Sequence, residues 1–215
     1  MQTKIMKLEH DMEKMAKVID QCVSVIQKGG TLTFPTETSY GIGCDATNEK
    51  AVKRIYEAKE REAYKPFPIV ISDLRMAEEY FVLNDSARKL IKAFMPGPLS
   101  LVLDKKGSKM PDEFWPKEIG VAFRIPGKDF VRIMAQEAGV PLVATSANLS
   151  GRTPIYRFED IKQTFNGKVE LMVDGGNLPP IRPSTIIDLR DKQPIVVREG
   201  PLNIQDILRE LSKEQ

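Results

Sequence analysis

The feature that most constrains this chain is the alternation of short, β-rich apolar runs with segments of helical periodicity. The runs TLTF (from Thr31), PIVIS (from Pro68), PLSLVLD (from Pro98), VAFRIP (from Val121), PLVATS (from Pro141), VELMVD (from Val169), STIIDL (from Ser184) and PIVVRE (from Pro194) read as strands. Between them lie amphipathic stretches. From about Asp11 to Lys28, Met12, Met15, Ile19, Cys22, Val23 and Ile26 recur at three-and-four spacing, and Gly29-Gly30 follow as a C-cap would. Helical spacing returns in NEKAVKRIYEAK from Asn48, in SARKLIKAF behind Asp85 and in KDFVRIMAQEA, stopped by Gly139. It appears again in FEDIKQTF, stopped by Asn166-Gly167, and in the C-terminal NIQDILREL. Parallel neighbours need crossover connections, so this alternation predicts an α/β fold with a twisted, mixed parallel/antiparallel sheet and flanking helices. With no internal repeat or low-complexity linker, residues 1–215 are expected to form one domain.

Composition narrows the chemistry. No apolar run approaches the roughly 20 residues of a membrane span, and acidic residues interrupt the N-terminal MQTKIMKLEHDMEKMAKVIDQCV where a signal peptide would be continuously apolar. Cys22 and Cys44 form no C-x-x-C pair and read as buried small hydrophobes, which suits a reducing compartment; the expectation is a cytoplasmic protein without membrane contact. The formal net charge of +2 is too mild to announce a nucleic-acid binder, so any basic site must be local. His10 is the single histidine and sits in a polar segment. That removes a Ser-His-Asp triad, an H-E-x-x-H zinc site and an imidazole relay. Chemistry must then run on Lys, Arg, hydroxyls, amides and a substrate-borne metal.

Polar clusters stand where apolar strands end, which is where open α/β sheets bind ligands. They are PTETSYG after TLTF; AKEREAYKPFP, with Lys59, Arg61 and Lys65; ATSANLSG after PLV, with Ser146, Asn148 and Ser150; and PSTIID with VVREG, which contribute Ser184, Thr185 and Arg198. Each has a plain alternative. Lys59 and Arg61 could be ordinary surface charge, because residues two apart do not share a helix face. If the helix ends near Lys59, both could enter one mouth and hold polyphosphate, lysine as a point charge and arginine as a planar fork. TSAN could be a self-bonded turn. GIGCDA from Gly41 matches G-x-G-x-x-A, but Pro35 to Tyr40 intervene after the strand, so the dinucleotide reading is weak; a Walker-type loop is absent.

In order along the chain, GGTLTFPTETSYGIGCDA, AKEREAYKPF, MPGPLSLVL, VAFRIPGK, ATSANLSG and STIID followed by REGP closely resemble the YrdC/TsaC family, the threonylcarbamoyl-AMP synthases. The resemblance covers about Gly29 to Pro201 and leaves no room for the extra C-terminal domain of longer relatives. It implies a sheet folded around a deep, positively charged cavity. The implied reaction joins L-threonine, bicarbonate or CO2, and ATP into threonylcarbamoyl-AMP and pyrophosphate. The product would feed threonylcarbamoyl modification of the adenosine beside the tRNA anticodon, completed by a separate transferase complex.

By the same resemblance, Lys59 and Arg61 match a K-x-R element holding the ATP phosphates, and Ser146 and Asn148 match an S-x-N element near phosphates and carbamate. Thr36, with Tyr40 nearby, and Arg124 match the threonine pocket, to which Ser146 also belongs; Ser184 and Arg198 match positions around the nucleotide. Mg²⁺ is expected to arrive with ATP, without a protein metal site. Adenylyl transfer by positioning and charge neutralisation needs no histidine.

Three departures mark this chain: Glu62 follows the K-x-R where Pro is usual, Lys128 follows RIPG where His is frequent, and Arg182-Pro183 replace Val-Glu before Ser184-Thr185. Glu62 is expected to face solvent or pair with Lys65. Two alternative readings are a YrdC-type module binding tRNA or double-stranded RNA without catalysis, and a carbamoyl-transfer domain of the hydrogenase-maturation type. The latter would be expected to carry acylphosphatase-like and zinc-finger regions, which this chain lacks.

Overall fold

A computed structural model describes residues 2–9, 11–62 and 65–213. Its strands are β1 (Lys4–Lys7), β2 (Leu32–Pro35), β3 (Tyr40–Asp45), β4 (Ile69–Val70), β5 (Leu99–Leu103), β6 (Val121–Arg124), β7 (Leu142–Ser146), β8 (Leu171–Asp174), β9 (Thr185–Asp188) and β10 (Ile195–Arg198). The helices are α1 (Met12–Gln27), α2 (Glu49–Lys59), α3 (Leu74–Tyr80), α4 (Asp85–Phe94), α5 (Asp129–Ala138), α6 (Phe158–Phe165) and α7 (Ile204–Ser212). All ten strands join one sheet in the order β1-β8-β2-β3-β7-β4-β6-β5-β9-β10. Pairs β1/β8, β2/β8, β4/β6 and β5/β9 are parallel and the others antiparallel, so the sheet is mixed as expected.

Helix starts follow local chemistry. Asp11 accepts from the Lys14 amide at 2.9 Å, and Asn48 and Asn84 cap α2 and α4 in the same way through Ala51 and Ala87. α1 ends where Gly29 takes φ +72, a conformation that favours glycine.

Sequence periodicity does not anticipate β1, β3 or α3. β3 escapes because YGIGCD carries two glycines, residues depleted in strands. FPTETSYGIGCDA is therefore a hairpin, with β2 and β3 antiparallel and Phe34 opposite Gly41. The glycines are required by close packing: a Cβ on Gly41 would lie 3.0 Å from the Phe34 ring, and one on Gly43 would lie 2.0 Å from the Val143 carbonyl oxygen. They belong to the sheet, paired with β2 on one side and β7 on the other, and not to a dinucleotide-type turn.

The period of two along the central strands separates two environments. Leu99, Leu101, Val121, Phe123, Val143 and Ile187 join the larger core with residues of α2, α3, α4 and α6. On the opposite face, α1 and α5 cover Leu32, Phe34, Val70, Leu142 and Leu171. Further along that face, side chains of β5, β6, β7 and β9 border a cavity instead.

Candidate active site

The cavity has a volume of roughly 540 Å³. Its wall includes Ser100 and Val102 of β5, Ala122 and Arg124 of β6, Ala144 and Ser146 of β7, and Ile186 of β9, alternate residues of four strands. The site thus lies across a sheet face. Expectation placed it beyond the carboxyl ends of strands, and the mixed sheet explains the difference: antiparallel neighbours send their carboxyl ends to opposite edges.

Of the residues expected at the site, Thr36, Tyr40, Arg61, Arg124, Ser146, Ser184 and Arg198 line this cavity. Among the described residues its charged lining side chains are Arg61, Arg124 and Arg198. Lys59 and Asn148 stand behind the wall. Lys59 is buried, at 2% exposure, and its Nζ donates to the carbonyl oxygens of Ser146 and, at 2.7 Å, Asn148. The Lys59 carbonyl in turn accepts from the Ser150 amide at 2.8 Å. Desolvation, with a smaller contribution from the nearby Arg61 charge, lowers the Lys59 pKa from about 10.5 to about 7. Ser146 Oγ donates to Asn148 Oδ1, and Asn148 Nδ2 donates to the carbonyls of Leu149 and Arg152 at 2.8 and 2.7 Å.

The end of α2 explains why two cations two residues apart diverge. Glu60 takes φ 53, a left-handed cap, and reverses the chain between Lys59 and Arg61. Arg61 then turns to the cavity, where Nε donates to the Lys65 carbonyl at 3.2 Å and the guanidinium lies 5.1 Å from the Phe67 ring centroid. Glu62 pairs with Lys65 at 2.9 Å on the exposed side. Ala63 and Tyr64 of this motif, and His10, lie outside the described residues.

Thr36 Oγ1 accepts from the amides of Thr38 and Ser39 and donates to the Ser39 carbonyl at 2.7 Å, which fixes the β2–β3 turn. Lys128, on the β6–α5 connection, donates to the Thr36 carbonyl at 3.2 Å. The Tyr40 hydroxyl donates to the Gly176 carbonyl at 2.8 Å and accepts from the Gly175 amide at 2.9 Å. Burial raises its pKa to about 12, so it stays a neutral phenol. On the far wall, Arg198 donates through Nε to the Ser184 carbonyl at 3.0 Å and through Nη2 to Ser184 Oγ at 3.2 Å. Desolvation first, then the neighbouring Arg124 charge, lower the Arg198 pKa. Arg182 is exposed, whereas Pro183 lines the cavity.

Two polar residues were passed over in the sequence. Ser100, whose Oγ lies 2.8 Å from Ser184 Oγ, was signalled only by a hydroxyl inside the apolar run PLSLVL. Glu37 forms an ion pair with Arg124. Nothing local marks that pairing, because the partners are 87 residues apart.

The fold and site define a mixed α/β protein with an arginine- and hydroxyl-lined cavity on one face of its sheet. The particular lineage is equally clear: residues 24–200 match the Sua5/YciO/YrdC family model, whose description reads "Telomere recombination", and the chain belongs to that family. A relative from Methanocaldococcus jannaschii named "Putative threonylcarbamoyl-AMP synthase" is 37% identical over 97% of this chain and 99% of its own length. The crystal structure of Pyrococcus abyssi Sua5 complexed with L-threonine superposes with a TM-score of 0.85 at 32% identity, covering 98% of this chain and 61% of that one. The crystal structure of Escherichia coli YciO superposes with a TM-score of 0.82 at 26% identity, covering 96% and 98%. This chain thus spans about three fifths of the Pyrococcus protein, and nearly all of the Methanocaldococcus and Escherichia ones.

Proposed function

We propose that the protein is an L-threonylcarbamoyladenylate synthase. The observation that carries this reading is the convergence of Arg61, Arg124 and Arg198 with Thr36, Ser146 and Ser184 on one cavity, in a chain whose relatives bear that name. The amine of L-threonine takes up CO2 or bicarbonate to form a carbamate, and a carbamate oxygen then attacks the α-phosphorus of ATP and displaces pyrophosphate. Starting from bicarbonate, one water is also released. The carbamate, the ATP phosphates and the departing pyrophosphate are all anionic, so fixed cations and hydroxyl donors supply most of what the adenylyl-transfer transition state needs.

In this reading Arg61 and Ser146 face the phosphates, and Lys59 and Asn148 hold the Ser146 turn in place. Ser184 and Arg198 flank the nucleotide. Arg124 takes the amino-acid carboxylate, and Thr36 and Tyr40 shape the surrounding wall. The donor set of the cavity is guanidinium and hydroxyl, which suits polyphosphate and not a bare cation; Mg²⁺ therefore enters as part of the Mg·ATP substrate, where it neutralises phosphate charge. A cytoplasmic location, a transferase complex that consumes the product, and contact with tRNA belong to the same proposal. No helix among the described residues is long and apolar enough to cross a membrane.

The test supplies purified protein with Mg·ATP, bicarbonate and L-threonine and follows pyrophosphate. Release should depend on threonine. Equal release with serine, or with no amino acid, overturns the assignment.

A further inference from the structure

The register of β5, β9 and β10 sets three side chains in one row. Ser100 pairs with Ile186 in the parallel β5/β9 ladder, and Arg198 pairs with the same Ile186 in the antiparallel β9/β10 ladder. A bulge decides the second pairing. Val196 lies opposite Ile187, so an unbroken register would put Val197 opposite Ile186, and the extra residue puts Arg198 there instead. Residues directly opposite across a sheet share a face, and Ile186 lines the cavity, so the bulge brings a guanidinium and not an isopropyl group to the cavity side. Ser184, two residues before Ile186, falls on that face by the period of two and also lines the cavity.

The three polar groups hydrogen-bond in series. Arg198 Nη2 donates to Ser184 Oγ at 3.2 Å, and Ser184 Oγ lies 2.8 Å from Ser100 Oγ. Both serines are more than nine-tenths buried, Ser184 at 7% and Ser100 at 5% exposure, and both border the cavity. Neither hydroxyl has another partner among the described residues. The hydrogen count is then fixed. A guanidinium only donates, so it occupies a lone pair of Ser184 and uses no hydroxyl hydrogen. Two hydroxyls bring two hydrogens, the bond between them consumes one, and one remains whichever serine donates. That hydrogen has no protein acceptor, and the open side of the buried pair is the cavity. A hydrogen-bonded series that starts at a fixed positive charge polarises its members toward stronger donation at the far end. The acceptor that suits it is an oxygen carrying negative charge.

We propose that Ser100 and Ser184 act as one hydrogen-bonding unit which, beside the Arg198 guanidinium, offers a single O–H to an anionic oxygen of the ligand, so that Ser100 is a further residue of the binding site. The inference rests on the synthase reading above, in which Ser184 and Arg198 flank the nucleotide; the acceptor is then a phosphate oxygen of Mg·ATP. The carboxylate of L-threonine offers the same chemistry and serves as the second probe. Removing Ser100 leaves the Ser184 hydroxyl free to rotate, and removing Ser184 cuts Ser100 off from the charge. Either loss disables the same device.

The experiment is calorimetric titration of the full chain with Mg·ATP, and separately with L-threonine, on the wild type, Ser100→Ala, Ser100→Thr, Ser184→Ala and the variant carrying both alanines, with thermal unfolding of each. Ser100→Ala should weaken Mg·ATP binding by about threefold to tenfold at an unchanged unfolding temperature. Ser100→Thr, which keeps the hydroxyl on a residue type favoured in strands, should bind within about twofold of the wild type. On the Ser184→Ala background, loss of Ser100 should weaken binding by less than about twofold more, because the unit is already broken. The same full loss on both backgrounds, or a Ser100→Thr variant as weak as Ser100→Ala, overturns the unit. Unchanged binding of both probes by Ser100→Ala overturns it as well. A loss confined to the L-threonine titration overturns the phosphate oxygen as the acceptor. Absence of Mg·ATP binding to the wild type overturns the nucleotide reading itself and this inference with it, a result distinct from the others.

Discussion

Lys59 donates its Nζ to the carbonyl oxygen of Asn148 at 2.7 Å from beneath the turn that follows β7, and a second bond from the same nitrogen reaches the Ser146 carbonyl. Replacing this nitrogen with an apolar group leaves two carbonyls without their donor. Lys59→Met should therefore lower threonine-dependent pyrophosphate release by about a hundredfold or more, if orientation of the Ser146 turn supplies a few kcal/mol at the transition state. Near-normal turnover in this variant would separate the turn from catalysis.

The same lysine sets a pH dependence. Its pKa is about 7 in the folded protein against about 10.5 for an ordinary lysine. Between those values the unfolded chain holds a proton that the folded chain does not, so stability rises with pH across that window; below pH 7 both forms are protonated and the burial penalty is fully present. Urea unfolding of wild type and Lys59→Met at pH 6, 8 and 10 should show the wild type gaining stability relative to the variant as pH increases. A constant difference would remove the proposed titration.

Arg61 combines a position over the Phe67 ring with backbone bonds to the Lys65 and Pro66 carbonyls, leaving a planar cation in the cavity wall. Arg61→Ala should cost about a hundredfold in turnover, and Arg61→Lys should restore little of it, because an ammonium neither stacks as a plane nor grips two phosphate oxygens at once. Steady-state kinetics with varied ATP decides this. Full rescue by lysine would show that bare charge suffices.

Gly43 faces the backbone of β7 so closely that an added methyl group would sit 2.0 Å from the Val143 carbonyl oxygen. That obstacle is main chain in the middle of the sheet and cannot swing aside. Gly43→Ala should lower unfolding free energy by about 3 kcal/mol or more, measured by denaturant titration. A loss under about 1 kcal/mol would mean that the β3–β7 pairing yields more easily than its register indicates.

Tyr40 ties the hairpin to the segment after β8 through the carbonyl of Gly176 and the amide of Gly175. Tyr40→Phe should destabilise the protein by about 1–3 kcal/mol, since both backbone groups lose a partner. The affinity for L-threonine should fall by less than the loss of a direct ligand contact would cause. Calorimetric titration checks the second point, and a fall of a hundredfold or more would place the hydroxyl on the substrate instead.

Much of this architecture is legible locally. Asp11, Asn48 and Asn84 announce helix starts because a cap needs only a side chain and an amide three residues on. The runs PLSLVL, VAFR and PLVATS announce strands by their β-branched and apolar content. The polar clusters beside them contain six of the cavity-lining residues expected at the site, Thr36, Tyr40, Arg61, Ser146, Ser184 and Arg198, whereas Arg124, within the run VAFRIP, was expected only from the family resemblance.

What local sequence leaves open is direction and partner. β3 is a strand in spite of Gly41 and Gly43 because the Phe34 ring and the β7 backbone occupy the space that side chains would need. Lys59 and Arg61 read as two equivalent cations until the left-handed turn at Glu60 sends one beneath the Ser146 turn and the other into the cavity. Glu37 and Arg124 become a charge couple only when the hairpin and β6 are brought together across 87 residues of chain. Periodicity and capping act over a few residues and so are written in the sequence itself. Burial and ion pairing are set by long-range packing, and only the tertiary structure decides them.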